Sequence, residues 1–220
     1  EILSKILEKR PQHLPAYISL ANLHCIQGKH KEAIEILIRA KTIDPDNLEL
    51  LFDLAKNYRA LKEYSLAIET LQQILGRDPS NREALRKKRE IYIEQQKWLE
   101  AYQTQKEIVK YTKEKDELTQ ERKILLGLEF QFGDDLAQRG NFREAEKTMR
   151  EIIKADREFL PPYVLLGDVL QRLGSTQEAS EVWEKALESF WNPVFLERLE
   201  ALFLSVASPQ KALHMYHEYL

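Results

Sequence analysis

One cysteine, Cys25, stands among 220 residues. A lone cysteine excludes an internal disulfide and a cysteine-based zinc cluster, and it fits a reducing compartment. Seven glycines and eight prolines leave little room for the turn-rich loops of an all-β fold. No run of about 18 apolar residues occurs, so no segment reads as a membrane-spanning helix. Charge of neither sign dominates. Lys and Arg number 33 against 36 Asp and Glu, for a formal net charge of −3, which gives no basic footprint for nucleic acid. No signal peptide is visible, but the chain begins at Glu1 rather than Met, so it reads as part of a longer chain.

What is present is repetition. Ala33, Ala67 and Ala101 are spaced 34 and 34 residues apart, Ala145 and Ala179 again 34, and Ala212 follows after 33. Between Ala101 and Ala145 the gap is 44, an excess of ten. Twelve residues before four of these alanines lies another small residue: Ala21, Ala55, Gly133 and Gly167. Asp44-Pro45-Asp46-Asn47 and Asp78-Pro79-Ser80-Asn81 close the first two full units. Tyr17, Leu20, Ala21 and His24 fall at i, i+3, i+4 and i+7, one face of a helix. Gly28 permits the turn. Ala33, Ile34, Leu37 and Ala40 form the second helix, and Pro45 stops it. One such pair cannot bury its apolar face alone, whereas stacked neighbours can.

The pattern resembles the tetratricopeptide repeat. Tyr17, Leu20, Ala21, His24, Ala33, Leu37, Ala40 and Pro45 occupy its signature positions in the first full unit. Leu51, Leu54, Ala55, Tyr58, Ala67, Leu71, Ile74 and Pro79 do so in the second. Tyr163, Leu166, Gly167, Leu170, Ala179, Trp183 and Ala186 do so near the end. The resemblance implies an all-α fold, a right-handed α-solenoid of stacked antiparallel helix pairs in one array. The units read as 1–13 (the second helix of a truncated repeat), 14–47, 48–81, 82–122 (degenerate, with an extension), 123–159, 160–192 and 193–220 (truncated).

Two features depart from the pattern. Lys88 and Arg89 replace an apolar and a small residue in the third full unit, so the helices are expected to separate there or Arg89 to reach out to water. Lys110 to Lys123 is almost wholly polar and lacks Gly and Pro. Lys113 and Glu117 lie at i, i+4 within it, which favours helix over linker. Either the helix that starts near Leu99 runs long or the next one starts early, near Asp116; the segment is a spacer or a hinge. At the far end His214, Met215, Tyr216 and Tyr219 are apolar and aromatic without a polar cap. Both ends therefore read as boundaries within a longer array, and self-association through the truncated ends is an expectation.

No catalytic constellation is found, and the chain reads as not an enzyme, with no cofactor and no metal. His13, His24, His30, His214 and His217 are scattered, and His24 takes a packing position. His214 and His217 with Glu218 on a terminal turn are too few for a metal site. Cys25 follows His24 on one helix, so the two point apart. No glycine-rich phosphate loop exists. Trp98, Trp183 and Trp191 fall at positions that repeats fill for packing. What remains is a groove. By the resemblance, the first helix of each pair lines the concave face, which gives Ile18, Asn22 and Cys25; Phe52, Lys56 and Arg59; Arg86, Glu90 and Ile93; Phe130, Asp134 and Ala137; and Val164, Asp168 and Gln171. Lys56, Arg59 and Arg86 make the middle basic and solvated, while the far part leans acidic. Such a strip suits an extended or helical peptide of mixed charge. Ile18 stands where a carboxylate-clamping lysine is found in some relatives, so a clamp for a free C-terminus is not expected.

A narrower resemblance rests on residues 84–110, ALRKKREIYIEQQKWLEAYQTQKEIVK, and on the order of units around them. It is similar to lipopolysaccharide assembly protein B, a bacterial repeat protein with an anchoring helix before its repeats and paired CxxC motifs after them. Neither is present here. The resemblance implies a cytoplasmic adaptor in envelope assembly, tethered to the inner membrane by a segment outside these residues, with protein or peptide partners. The alternative is a repeat region that presents substrate to a catalytic domain elsewhere in a larger enzyme.

Overall fold

The computed structural model describes residues 2–219. The expected contributions of the Glu218 and Tyr219 side chains lie outside the described residues. The described residues form helices and turns, with no strand. The helices are α1 (Ile2–Lys9), α2 (Leu14–Ile26), α3 (His30–Lys41), α4 (Leu48–Ala60), α5 (Tyr64–Arg77), α6 (Arg82–Glu94), α7 (Trp98–Tyr111), α8 (Lys115–Gln138), α9 (Phe142–Ala155), α10 (Pro161–Arg172), α11 (Thr176–Phe190), α12 (Pro193–Ser205) and α13 (Pro209–Tyr219). The chain divides into two compact units, Glu1–Arg122 and Lys123–Leu220, and the division falls inside α8.

The local chemistry explains the helix ends. Asn47 and Asn81 cap α4 and α6, their side-chain oxygens accepting from Leu50 N (3.1 Å) and Ala84 N (3.0 Å). Each satisfies one of the donors that a helix start leaves open. The turn within each pair needs one residue of left-handed backbone. It falls at Gly28, Lys62, Gln96, Gly140, Gly174 and Ala207, with φ from 52° to 82°. Three of these six are not glycine, and a Cβ in this region costs about 1–2 kcal/mol.

The ten extra residues go into α8, which is 24 residues long. Of the two arrangements expected for this segment, the early start holds. Glu114 caps it, accepting from Asp116 N (3.1 Å) and Glu117 N (2.6 Å).

In the first unit Ala21, Ala33, Leu37, Leu54, Ala55, Ala67 and Leu71 lie in one buried cluster. In the second, Met149, Leu170, Ala179, Trp183, Ala186 and Phe195 do the same. The marker alanines at 33, 67, 101, 145 and 179 have no exposed surface. Between the two helices of a pair, small faces large. Ala21 and Leu37, like Ala55 and Leu71, stand 16 residues apart, as do Gly133 and Met149, and Gly167 and Trp183. A Cβ built on Gly133 would lie 2.2 Å from Met149 Cε, and one on Gly167 would lie 2.1 Å from Trp183 Cε2. The larger the side chain from the second helix, the smaller its counterpart on the first.

The third pair has Arg89 and Gln105 in this register. Contrary to expectation, Arg89 neither reaches water nor lies open: its side chain is 12% exposed. Its Nη1 donates to Gln105 Oε1 at 2.5 Å, and Gln105 Nε2 donates to Glu121 Oε2 at 2.7 Å and to the Glu121 carbonyl at 2.8 Å. Arg89 Nη1 also lies 3.4 Å from Glu121 Oε2. The early start of α8 supplies Glu121, so the extension and the misfit arginine are parts of one arrangement. The cost of burying this guanidinium is offset through Nη1, which meets a carboxylate and an amide oxygen, while its Nε is buried without a partner.

One further expectation is corrected. Trp191 is 68% exposed. It caps α11 in the left-handed region (φ 49°), two residues before the proline that starts α12, and the turn directs it out of the core. Trp183 is fully buried as expected, and Trp98 is half-buried.

Candidate partner-binding site

The first helices of successive pairs carry the residues expected to meet a partner. In the first unit they are tied to one another by a regular ladder. Asn22 on α2 hydrogen-bonds Asp53 on α4. Arg59 on α4 donates to Glu90 (2.5 Å) and through Nε to Glu94 (2.9 Å) on α6. Arg86 on α6 donates through Nη2 to Glu117 (2.6 Å) and Glu121 (2.7 Å) on α8, and Arg82 also pairs with Glu117. Lys87 on α6 lies over the Phe52 ring of α4, 5.6 Å from its centre. The separations are 31 or 35 residues throughout. Both are the 34-residue period displaced by less than one turn, and 31 and 35 lie one helical turn apart on the same face. In the second unit Arg198 on α12 meets Asp168 on α10 at 3.1 Å. That separation is 30, as expected where the period shortens to 33.

These contacts move the titrations. Hydrogen bonds from Arg82 and Arg86 hold the Glu117 carboxyl below its ordinary value. Burial pushes Glu121 up, but hydrogen bonds from Gln105 and Arg86 and the charges of Arg86 and Arg89 outweigh it and leave it low. Burial dominates at Asp53 and Asp168, which both rise despite Lys56 beside the first and Arg198 beside the second.

The basic middle is therefore not a row of solvated cations. Arg59 and Arg86 are engaged with carboxylates four residues apart, and Glu90 is one of them. Lys56 is exposed, with Asp53 nearby. Ile18 is buried and offers no open contact area. Phe52, Cys25 and Ile93 are half-buried. In the second unit Phe130 packs edge-on against Phe159, 5.7 Å between ring centres, and Val164 packs against the same core. Asp134 accepts from Gln138 (2.7 Å), Ala137 packs beside Leu136, and Gln171 is half-buried. Sequence reasoning missed Glu94, Glu117 and Glu121. Their signal was present: an acidic residue stands 31 or 35 positions after Arg59, Arg82 and Arg86.

Family models described as "Tetratricopeptide repeat" match residues 26–91 and 160–189. The chain carries tetratricopeptide repeats. Among solved structures, the repeat array is similar over 98% of its length to a chain of the Naa15/Naa10 structure bound to HypK-THB, with TM-score 0.69 and 19% identity. It spans about 33% of that chain. A tetratricopeptide repeat protein from Parabacteroides merdae matches 99% of the array at TM-score 0.51 and 20% identity, with 82% of its own length covered. YrrB, described as a TPR protein with an unusual peptide-binding site, matches 90% at TM-score 0.50 and 17% identity, with 97% of its own length covered. At these identities the likeness shows the fold, stacked helix pairs. No curated protein matches the chain significantly in sequence.

Proposed function

We propose that these repeats form a non-catalytic scaffold whose first-helix faces bind segments of partner proteins. The observation that carries this reading is the pairing of exposed Lys56 with half-buried Phe52 one turn away on α4, an open cation beside apolar surface on a face whose arginines are already tied. A peptide bringing a carboxylate and an apolar side chain fits both. The partner-contacting set is accordingly narrower than the full list of inward positions, with Lys56 and Phe52 at its centre.

The test is affinity capture on the repeats from a lysate of the source cell, followed by titration of the recovered partner against the parent and against Lys56→Glu. The expected result is at least a fivefold loss of affinity with an unchanged thermal melt. Equal affinity would remove Lys56 from the site. The narrower reading, an adaptor in bacterial envelope assembly, rests on the resemblance of residues 84–110; recovery of a membrane protease or envelope-lipid enzymes supports it, and recovery of unrelated proteins leaves the general scaffold.

A further inference from the structure

The second unit holds a pocket away from its first-helix face residues. Arg143, Lys147, Arg150 and Lys154 recur at i, i+4, i+7 and i+11 along α9, one face of the helix, and Arg157 continues the row in the turn that follows. All five are exposed. Where this row ends, α9, α10 and α11 border an open surface cavity of about 340 Å³. Ile153, Tyr163, Leu166 and Val182 form its apolar floor, and Arg150, Lys154, Arg157 and Lys185 form its rim. Lys185 comes from α11, so two helices bring cations to one opening. Arg150 is held by Glu146 and Glu178, both at 2.8 Å. Lys154, Arg157 and Lys185 make no ion pair with any described residue. Tyr163 is fixed by donating its hydroxyl to the Arg157 carbonyl at 3.1 Å.

We propose that this pocket binds an acidic peptide segment, one apolar side chain entering the cavity and carboxylates on either side meeting Lys154, Arg157 and Lys185. The floor argues against a free phosphate, which has no use for apolar walls. The carboxylates of Glu146, Glu151 and Glu178 punctuate the basic row, which penalises a continuous polyanion such as nucleic acid or an anionic membrane but leaves room for spaced carboxylates. The volume is at the lower end of ligand pockets and suits one or two side chains.

The probe is a fluorescein-labelled peptide, Asp-Glu-Glu-Asp-Leu-Phe-Glu-Asp-Glu-Glu, titrated by fluorescence anisotropy against the full repeat chain. Saturable binding is expected. The triple variant Lys154→Glu/Arg157→Glu/Lys185→Glu is expected to weaken it at least tenfold with an unchanged circular-dichroism melt. Val182→Asp, which keeps every cation, and a peptide with Ser-Ser in place of Leu-Phe are each expected to cause a similar loss. Lys31→Glu, an exposed cation of the other unit with no part in the α4 site, is expected to leave the affinity unchanged; the α4 site is tested separately with the recovered partner and Lys56→Glu, so the two failures are distinguishable. Absent binding, binding indifferent to the apolar pair, or tighter binding of phosphatidylserine vesicles or a dT oligonucleotide through the same residues would overturn the proposal.

Discussion

The α6–α7 contact of the third pair and the α10–α11 contact of the fifth occupy one register of the repeat and fill it with opposite chemistry. In the fifth, Gly167 leaves a hollow and Trp183 fills it completely. In the third, Arg89 and Gln105 meet through a hydrogen bond, and Glu121 from α8 completes the set. The register therefore demands two things of its occupants: complementary volume and, where they are polar, a counter-charge and hydrogen-bond partners from a neighbouring helix. It does not demand a small residue. A repeat signature written as residue types catches the first solution and misses the second.

The largest way to break the comparison is at the indole. Trp183→Ala removes a fully buried aromatic and is expected to destabilise the second unit by about 3–5 kcal/mol, read as a shift of the urea midpoint. Gly167→Ala alone forces its Cβ to within 2.1 Å of Trp183 and is expected to cost about 1–3 kcal/mol. Gly167→Ala combined with Trp183→Leu rebuilds the Ala55 and Leu71 pairing and should return part of the loss. Failure of that double variant to improve on Trp183→Ala would mean that volume complementarity is not the rule here.

Next is the third pair. Glu121→Ala strands Arg89 and is expected to cost about 3 kcal/mol, as removal of one partner of a buried pair does. Arg89→Ala with Gln105→Leu and Glu121→Leu restores apolar packing and is expected to be close to neutral or stabilising. If the single variant proves as stable as the parent, the network is not what holds α6 to α7 and α8.

Acid sharpens the comparison further. Glu117 and Glu121 are lowered from an ordinary 4.5. Their stabilisation is fully present above that value and is lost as pH falls through their lower folded values. Asp168 is raised by burial, so its charged form is disfavoured by folding and the second unit gains as pH falls towards its raised value. Asp53, also raised, offsets part of the loss in the first unit. Hydrogen exchange followed from pH 7 to well below 4.5, corrected for intrinsic rates, should show opening of α6 and the first half of α8 while α10 keeps its protection. Asp168→Asn should remove the trend in α10.

The smallest expected effect is at the turns. Lys62 and Gln96 take the left-handed position that Gly28, Gly140 and Gly174 take elsewhere. Each replacement by glycine should raise stability by about 1 kcal/mol, measurable as a small upward shift in Tm.

The pairing of helices was legible because alanines at fixed spacing report close approach without further context. The early start of α8 was legible as one of two outcomes, since a polar segment without Gly or Pro extends one neighbouring helix or the other. Arg89 was not legible, because its burial depends on Glu121, a residue 32 positions away that single-repeat reasoning does not consult. The basic face was misread for the same reason. Arg59 and Arg86 look solvated on their own helices, and their carboxylates arrive from the next one. Trp191 failed differently: it lies one residue past the end of α11, where a helical face no longer predicts direction.

The central claim is that the cations of the α4 and α6 faces hold neighbouring helices together, leaving partner contact to Lys56 and Phe52. Arg86→Glu, compared with the charge-swapped Arg86→Glu/Glu117→Arg by urea unfolding and by titration of the recovered partner, tests it most directly. The single variant is expected to lose about 1–2 kcal/mol, the swap to restore part of it, and both to bind the partner within twofold of the parent. A single variant as stable as the parent that no longer binds, unrescued by the swap, would contradict it and make Arg86 a binding group.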